Sequence, residues 1–185
     1  MELKNKVILI TGSSSGIGKT TAIRFAKEGA KIVINYHINE KGATETKKLI
    51  DSMGAECIIV KADVSKPTEI AYLFEQVVKK YNTVDVLINN AAIPNDKVPY
   101  LEATPEDIYE LVHTDLVGPM LCAKKAIELM QKQGYGKIIN TSSIRGWEHG
   151  GRSVVYAASK AGINSFSRTL AKMVAPNIQV NAVAP

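Results

Sequence analysis

A continuous apolar run, Val7–Ile10, leads directly into Thr11-Gly12-Ser13-Ser14-Ser15-Gly16-Ile17-Gly18, and that octapeptide opens an amphipathic stretch. Strand, tight glycine-rich turn and helix in immediate succession leave few folds open. Gly12 permits the turn, Gly16 lets backbone amides approach a diphosphate, and Gly18 allows close packing of helix on strand. The diphosphate would then sit at the positive end of the helix, with Ser14, Ser15 and Ile17 completing the cradle. The competing reading, a Gly/Ser-rich turn without a ligand, makes the strand and helix around it incidental.

The rest of the chain repeats the alternation. Apolar runs at Lys31–Asn35, Glu56–Lys61, Val84–Asn89, Lys137–Thr141 and Ile178–Val183 read as strands. Between them, Gly16–Glu28, Glu40–Met53, Lys66–Tyr81, Thr104–Gln133 and Tyr156–Ala175 carry helical periodicity. Gly29 is placed to end the first helix, Pro67 suits a first turn, and Thr104 looks like an N-cap ahead of Pro105, Glu106 and Asp107. Fully apolar strands joined by crossover helices predict an α/β fold: a Rossmann-type, doubly wound parallel sheet with helices on both faces.

With 45% hydrophobic and 22% charged residues, the 185-residue chain can bury a core, and residues 1–185 read as a single dinucleotide-binding domain. The formal charge of +5 is scattered rather than gathered into a patch. That favours a surface suited to an anionic cofactor over nucleic-acid binding. Cys57 and Cys122 match no metal-ligand spacing and read as reduced core residues of a cytoplasmic protein, so no metal site is expected. Met1–Lys6 lacks a signal-peptide core, and no apolar run approaches membrane-spanning length.

The glycine spacing is Thr-Gly-x-x-x-Gly-x-Gly, and with it the chain resembles the short-chain dehydrogenase/reductase family. Further motifs agree in order: Asp63-Val64, Asn89-Asn90-Ala91-Ala92, Ser142-Ser143, Tyr156-Ala157-Ala158-Ser159-Lys160 and Asn181-Ala182-Val183-Ala184-Pro185. The resemblance implies hydride transfer between a nicotinamide cofactor and a carbonyl or secondary alcohol. Asp63, Val64, Asn90, Ala91, Tyr156, Lys160 and Pro185 would join the glycine loop in holding the cofactor. The second strand ends Asn35-Tyr36-His37, with no acid to hold a ribose 2′-hydroxyl or repel a 2′-phosphate. NADP(H) is therefore favoured and NAD(H) stays open, with Tyr36 and His37 at the adenosine end and Lys19 as another positive group.

Tyr156 and Lys160 stand four apart on a predicted helix, hence on one face. A tyrosine exchanges protons with a substrate only if its ordinary pKa of about 10 is brought toward neutrality, and the Lys160 ammonium would do this. Ser143 would hold the substrate oxygen beside the phenol, although Ser142 stays open as the active serine. The resemblance implies a fourth catalytic group in the long helix, where this chain has Asp115 in place of asparagine; its charge is expected to raise the lysine pKa and oppose the phenolate. Ala92 replaces a glycine. Trp147 and His149 lie toward the pocket mouth, and His113 reads as a packed core or interface histidine.

Within the family the resemblance runs to 3-oxoacyl-carrier-protein reductases and glucose dehydrogenases. It also implies a homodimer or homotetramer through helices 104–133 and 156–175, and a substrate-binding segment beyond Pro185, so the chain is read as incomplete at its C-terminus. A cofactor-binding protein that has lost turnover is the alternative of a different class.

Overall fold

The computed structural model describes residues 3–93, 99–148 and 154–185. Six strands, β1 (Val7–Ile10), β2 (Lys31–Tyr36), β3 (Cys57–Lys61), β4 (Val86–Asn89), β5 (Gly136–Thr141) and β6 (Ile178–Val183), form one parallel sheet in the order β3-β2-β1-β4-β5-β6. Helices α1 (Gly16–Lys27), α2 (Glu40–Asp51), α3 (Pro67–Tyr81), α4 (Pro105–Val112), α5 (Gly118–Gln133) and α6 (Val154–Val174) complete the alternation. The Rossmann-type α/β architecture expected from the sequence is the one observed.

Side chains alternate across the sheet, so β1 feeds two cores. Ile8 and Ile10 meet Ile32 and Ile34 under Ala22 and Ala26 of α1 and Ala43 and Ile50 of α2. Val7 and Leu9 meet Val33, Leu87 and Ile138 under α3, α5 and α6. β1 and β4 are buried along their whole length, and β2 from Ile32 onward, which is why they read as apolar runs rather than alternating ones. The Cys122 thiol lies inside the second core, where burial pushes it up to about 12. Among the described residues, no helix is long and apolar enough to cross a membrane.

The boundaries shift by a residue or two from the sequence reading, and one shift has a clear cause. The fourth strand starts at Val86 rather than Val84, and the buried Asp85 carboxylate ahead of it accepts a hydrogen bond from Val7 N–H at 2.7 Å. The larger correction concerns the helix expected over Thr104–Gln133. Its start holds, since Thr104 and Asp107 form a reciprocal capping box. Its middle is a five-residue π-helical stretch, His113–Val117, between α4 and α5. His113 is exposed there and stacks on Tyr109 at 6.5 Å between ring centroids, so it is not a core residue.

A parallel sheet puts all strand C-termini on one edge. The glycine loop after β1, His37 after β2, Asp63 after β3, Asn90 after β4, Ser142 and Ser143 after β5, and Pro185 after β6 therefore share that edge. The break in strand order falls between β1 and β4, where such sheets open a crevice.

Candidate active site

Each loop glycine has a distinct task. Gly12 (φ +62°) and Gly16 (φ +54°) hold left-handed backbone. A Cβ on Gly12 would lie 2.8 Å from Ala91 Cα, and one on Gly18 would lie 2.5 Å from Gly12 O and 2.6 Å from Asn90 Nδ2. A Cβ on Gly16 would meet nothing within 4 Å. The loop is thus packed against protein at two glycines and open at the third, which is the cradle a diphosphate needs. Ser14 is buried, while Ser15, the N-cap of α1, and Ile17 are exposed beside the opening. Gly18→Ala must displace backbone, so it is expected to destabilise the fold by about 1–3 kcal/mol and to weaken nicotinamide-cofactor binding. Denaturant titration and cofactor titration check this; an unchanged midpoint would show that the loop yields freely.

Two residues that hold the loop in shape escaped the sequence reading. Asn35, buried in β2, accepts from Gly12 N–H through Oδ1 (3.1 Å) and donates through Nδ2 to Ala62 O (2.9 Å). The Thr11 hydroxyl accepts from Asn90 N–H (2.9 Å) and Ala91 N–H (3.0 Å), and Asn90 Nδ2 donates back to Thr11 O and Gly12 O. The usable signal was a lone amide in an otherwise apolar strand, because a buried polar side chain has to find partners.

Beyond the ends of β2 and β3, Tyr36 and Val64 are buried and His37 is exposed. The sequence placed no acid beside His37, but the fold does: Asp63 Oδ2 approaches His37 Nε2 to 3.7 Å and Lys66 Nζ to 3.5 Å. Burial pushes the Asp63 carboxyl up. Bonds from the Ser65 amide and hydroxyl, with the charges of His37 and Lys66, outweigh this and hold it below the usual carboxylate range. Ala92 and Pro185 are exposed.

The four candidate catalytic residues converge although they come from β5, the π-helical stretch and α6. The Ser143 hydroxyl lies close enough to the Tyr156 phenol to pull it down. Ser142 is turned away, its hydroxyl donating to Lys160 O at 3.3 Å, so Ser143 is the serine that meets the phenol. Lys160 is buried, with Nζ donating to Thr141 O (3.1 Å), lying 3.3 Å from Asp115 Oδ2 and 5.3 Å from the Tyr156 ring centroid. Asp115 is fully buried: Oδ1 accepts from Ile93 N–H at 2.8 Å, while Oδ2 has no aligned hydrogen bond. Burial pushes the Asp115 carboxyl up, against the pull of Lys160 and the Ile93 amide.

One expectation is reversed. Lys160 was to lower the Tyr156 phenol, yet the phenol is raised. Burial contributes most, the Ser143 hydroxyl pulls back, and the Asp115 charge pushes further up. The physical reason is that Lys160 is engaged by Asp115 and Thr141 O rather than by the phenol oxygen. Trp147 is exposed under the Arg168 guanidinium, 4.8 Å from its ring centroid, and His149 lies outside the described residues.

Residues 6–185 match the short chain dehydrogenase family. The chain belongs to that family. This short-chain dehydrogenase is 42% identical over 189 residues to an uncharacterized oxidoreductase of Thermotoga maritima, spanning 100% of this chain and 72% of that one. It is 39% identical over 184 residues to a 3-oxoacyl-[acyl-carrier-protein] reductase of Synechocystis, spanning 99% of this chain and 74% of that one. Among solved structures, an NAD+-bound xylitol dehydrogenase superposes with a TM-score of 0.93 at 28% identity, over 100% of this chain and 71% of that one. The protein is therefore an oxidoreductase of the NAD(P)-binding short-chain class, and its open glycine cradle fits the diphosphate of such a cofactor.

Proposed function

We propose that this short-chain dehydrogenase reduces a 3-oxoacyl thioester, or runs the reverse oxidation, with NADP(H) as the favoured cofactor. The observation that carries the chemistry is the approach of Lys160 Nζ to 5.3 Å from the Tyr156 ring centroid, on the strand-end edge that bears the glycine cradle. The bound nicotinamide supplies or accepts the hydride. Ser143 holds the substrate oxygen, as a hydroxyl donor stabilises developing negative charge there. Tyr156 gives its proton to that oxygen in reduction and takes it back in oxidation. Lys160 stabilises the phenolate and holds cofactor hydroxyls, and Asp115 sets the charge around Lys160. Gly12, Ser14, Ser15, Gly16, Ile17, Gly18, Tyr36, His37, Asp63, Val64, Asn90, Ala91 and Pro185 form the cofactor side. Support for the thioester comes from the Synechocystis relative.

The proposal extends to assembly as a homodimer or homotetramer through α4–α5 and α6. Ala158, Ala161 and Ser165 stand exposed on α6, as close helix packing requires. Gly162 packs on Leu116 of the π-helical stretch, where a Cβ would come within 2.9 Å.

The test is a panel of acetoacetyl thioester and glucose, each with NADP(H) and NAD(H). Reduction of the thioester without glucose oxidation supports the proposal. Glucose oxidation alone replaces it with a sugar dehydrogenase. Tight cofactor binding without turnover of either substrate favours a binding protein.

A further inference from the structure

β4 and β5 pair in a register that sets Leu87 beside Ile138 and Asn89 beside Asn140. Alternate residues of a strand share a face, so both pairs look toward α5 and α6. The first pair belongs to the core under those helices. The second is just as buried, yet polar. Asn89 Nδ2 donates to Asn140 Oδ1 at 2.8 Å and to Pro119 O, in the first turn of α5, at 3.2 Å. Asn140 Nδ2 donates to Ser167 Oγ at 2.9 Å, and the Ser167 hydroxyl donates to Ile163 O at 2.7 Å, both on α6. These bonds run from α5 through two strands to α6. An apolar pair would fill the space, as Leu87 and Ile138 do two residues back. What the amides add is direction: the main-chain carbonyls at both ends only accept, so each side chain is held in one orientation.

Both ends of the row lie near catalytic groups. Pro119 is four residues beyond Asp115, and Ser167 is seven residues beyond Lys160, about two turns along the buried face of α6. Beside Asn140, Thr141 O accepts from Lys160 Nζ, and the Ser142 hydroxyl donates to Lys160 O. Asp115 and Lys160, both buried, meet at 3.3 Å from separate elements. Where water is excluded such a contact changes steeply with distance, so a small slip of α6 against α5 would alter it.

We propose that Asn140 is a positioning residue of the active site: bonded to Asn89 and Ser167, it sets α6 against α5 and so fixes the distance at which Asp115 meets Lys160. The inference rests on the roles given above to Tyr156 and Lys160.

Asn140→Leu tests it. Asn89 Nδ2 keeps Pro119 O and the Ser167 hydroxyl keeps Ile163 O, so no donor is stranded and the variant is expected to fold. The Tyr156 phenol is faced by Lys160 from its own helix, by Asp115 from the π-helical stretch and by Ser143 from the end of β5. Its titration is followed by NMR of isotope-labelled tyrosine, assigned through Tyr156→Phe, beside kcat for acetoacetyl-thioester reduction. In Asn140→Leu the phenol is expected to titrate lower, as the Asp115 charge and Lys160 separate, and kcat to fall about tenfold or more, since a small misplacement suffices. Asp115→Asn added to it should move the titration less than Asp115→Asn alone, because both act through one contact. Ser167→Ala should shift the titration in the same direction. Ile138→Val, in the same core, should lower the melting temperature and leave the titration in place. A titration unmoved by Asn140→Leu and Ser167→Ala overturns the proposal. So does a full response to Asp115→Asn in the Asn140→Leu background, or an equal shift in Ile138→Val, which would make the amide row a packing device alone. A wild type that turns over no thioester removes the reductase reading by itself; the titration needs no turnover and still decides the role of Asn140.

Discussion

Tyr156→Phe is expected to slow carbonyl reduction by about 10²–10⁴-fold while NADPH affinity changes little. The substitution removes one hydroxyl from a half-buried ring that is held by its helix and by Lys160 near its face. The fold loses little, because the ring keeps its packing. The proton must then come from water that has no fixed position, and the Ser143 hydroxyl can polarise the carbonyl without completing the transfer. Single-turnover rates with saturating cofactor, beside a cofactor titration, separate chemistry from binding. A rate within a few-fold of wild type would mean that another group delivers the proton.

Asp115→Asn is expected to act on the pH profile. The sign follows from the site: the Tyr156 phenol is raised, and the Asp115 charge is one of the influences raising it. An asparagine keeps the bond from Ile93 N–H but drops the negative charge, so the phenol titrates lower. Alcohol oxidation needs the phenolate, so its acid limb should move to lower pH, and oxidation near neutrality should speed up. Releasing the Lys160 ammonium from its 3.3 Å contact with the carboxylate works in the same direction. The measurement is kcat/KM for alcohol oxidation across pH. An unchanged rate and profile would show that the carboxylate has no bearing on the phenol.

What the sequence disclosed was whatever depends on local pattern. The run from Val7 through Gly18 carries its own periodicity and its own turn chemistry, and it led directly to the sheet and the cradle. Tyr156 and Lys160 were likewise legible, because four residues on a helix define a face. What stayed hidden depends on partners distant in the chain. Asp63 and His37 are 26 positions apart yet stand 3.7 Å apart, so a β2 terminus that looked free of acid is not. The π-helical stretch at His113–Val117 was invisible for another reason. Five residues of wider helix leave the apolar pattern of α4 and α5 almost undisturbed, and only tertiary packing, with Gly118 so close to Val64 O that a Cβ would come within 2.5 Å, shows where the widening falls.

The side-chain bonds that lash the glycine loop to its neighbours have a kinetic and thermodynamic corollary. Asn35 ties Gly12 to the start of the segment after β3, and Thr11 and Asn90 tie it to the end of β4. A loop already set in its binding shape loses little conformational entropy when a dinucleotide arrives. Association there should resemble docking onto a rigid template, with single-phase kinetics linear in cofactor concentration, and amide exchange across the loop should already be slow in the free protein.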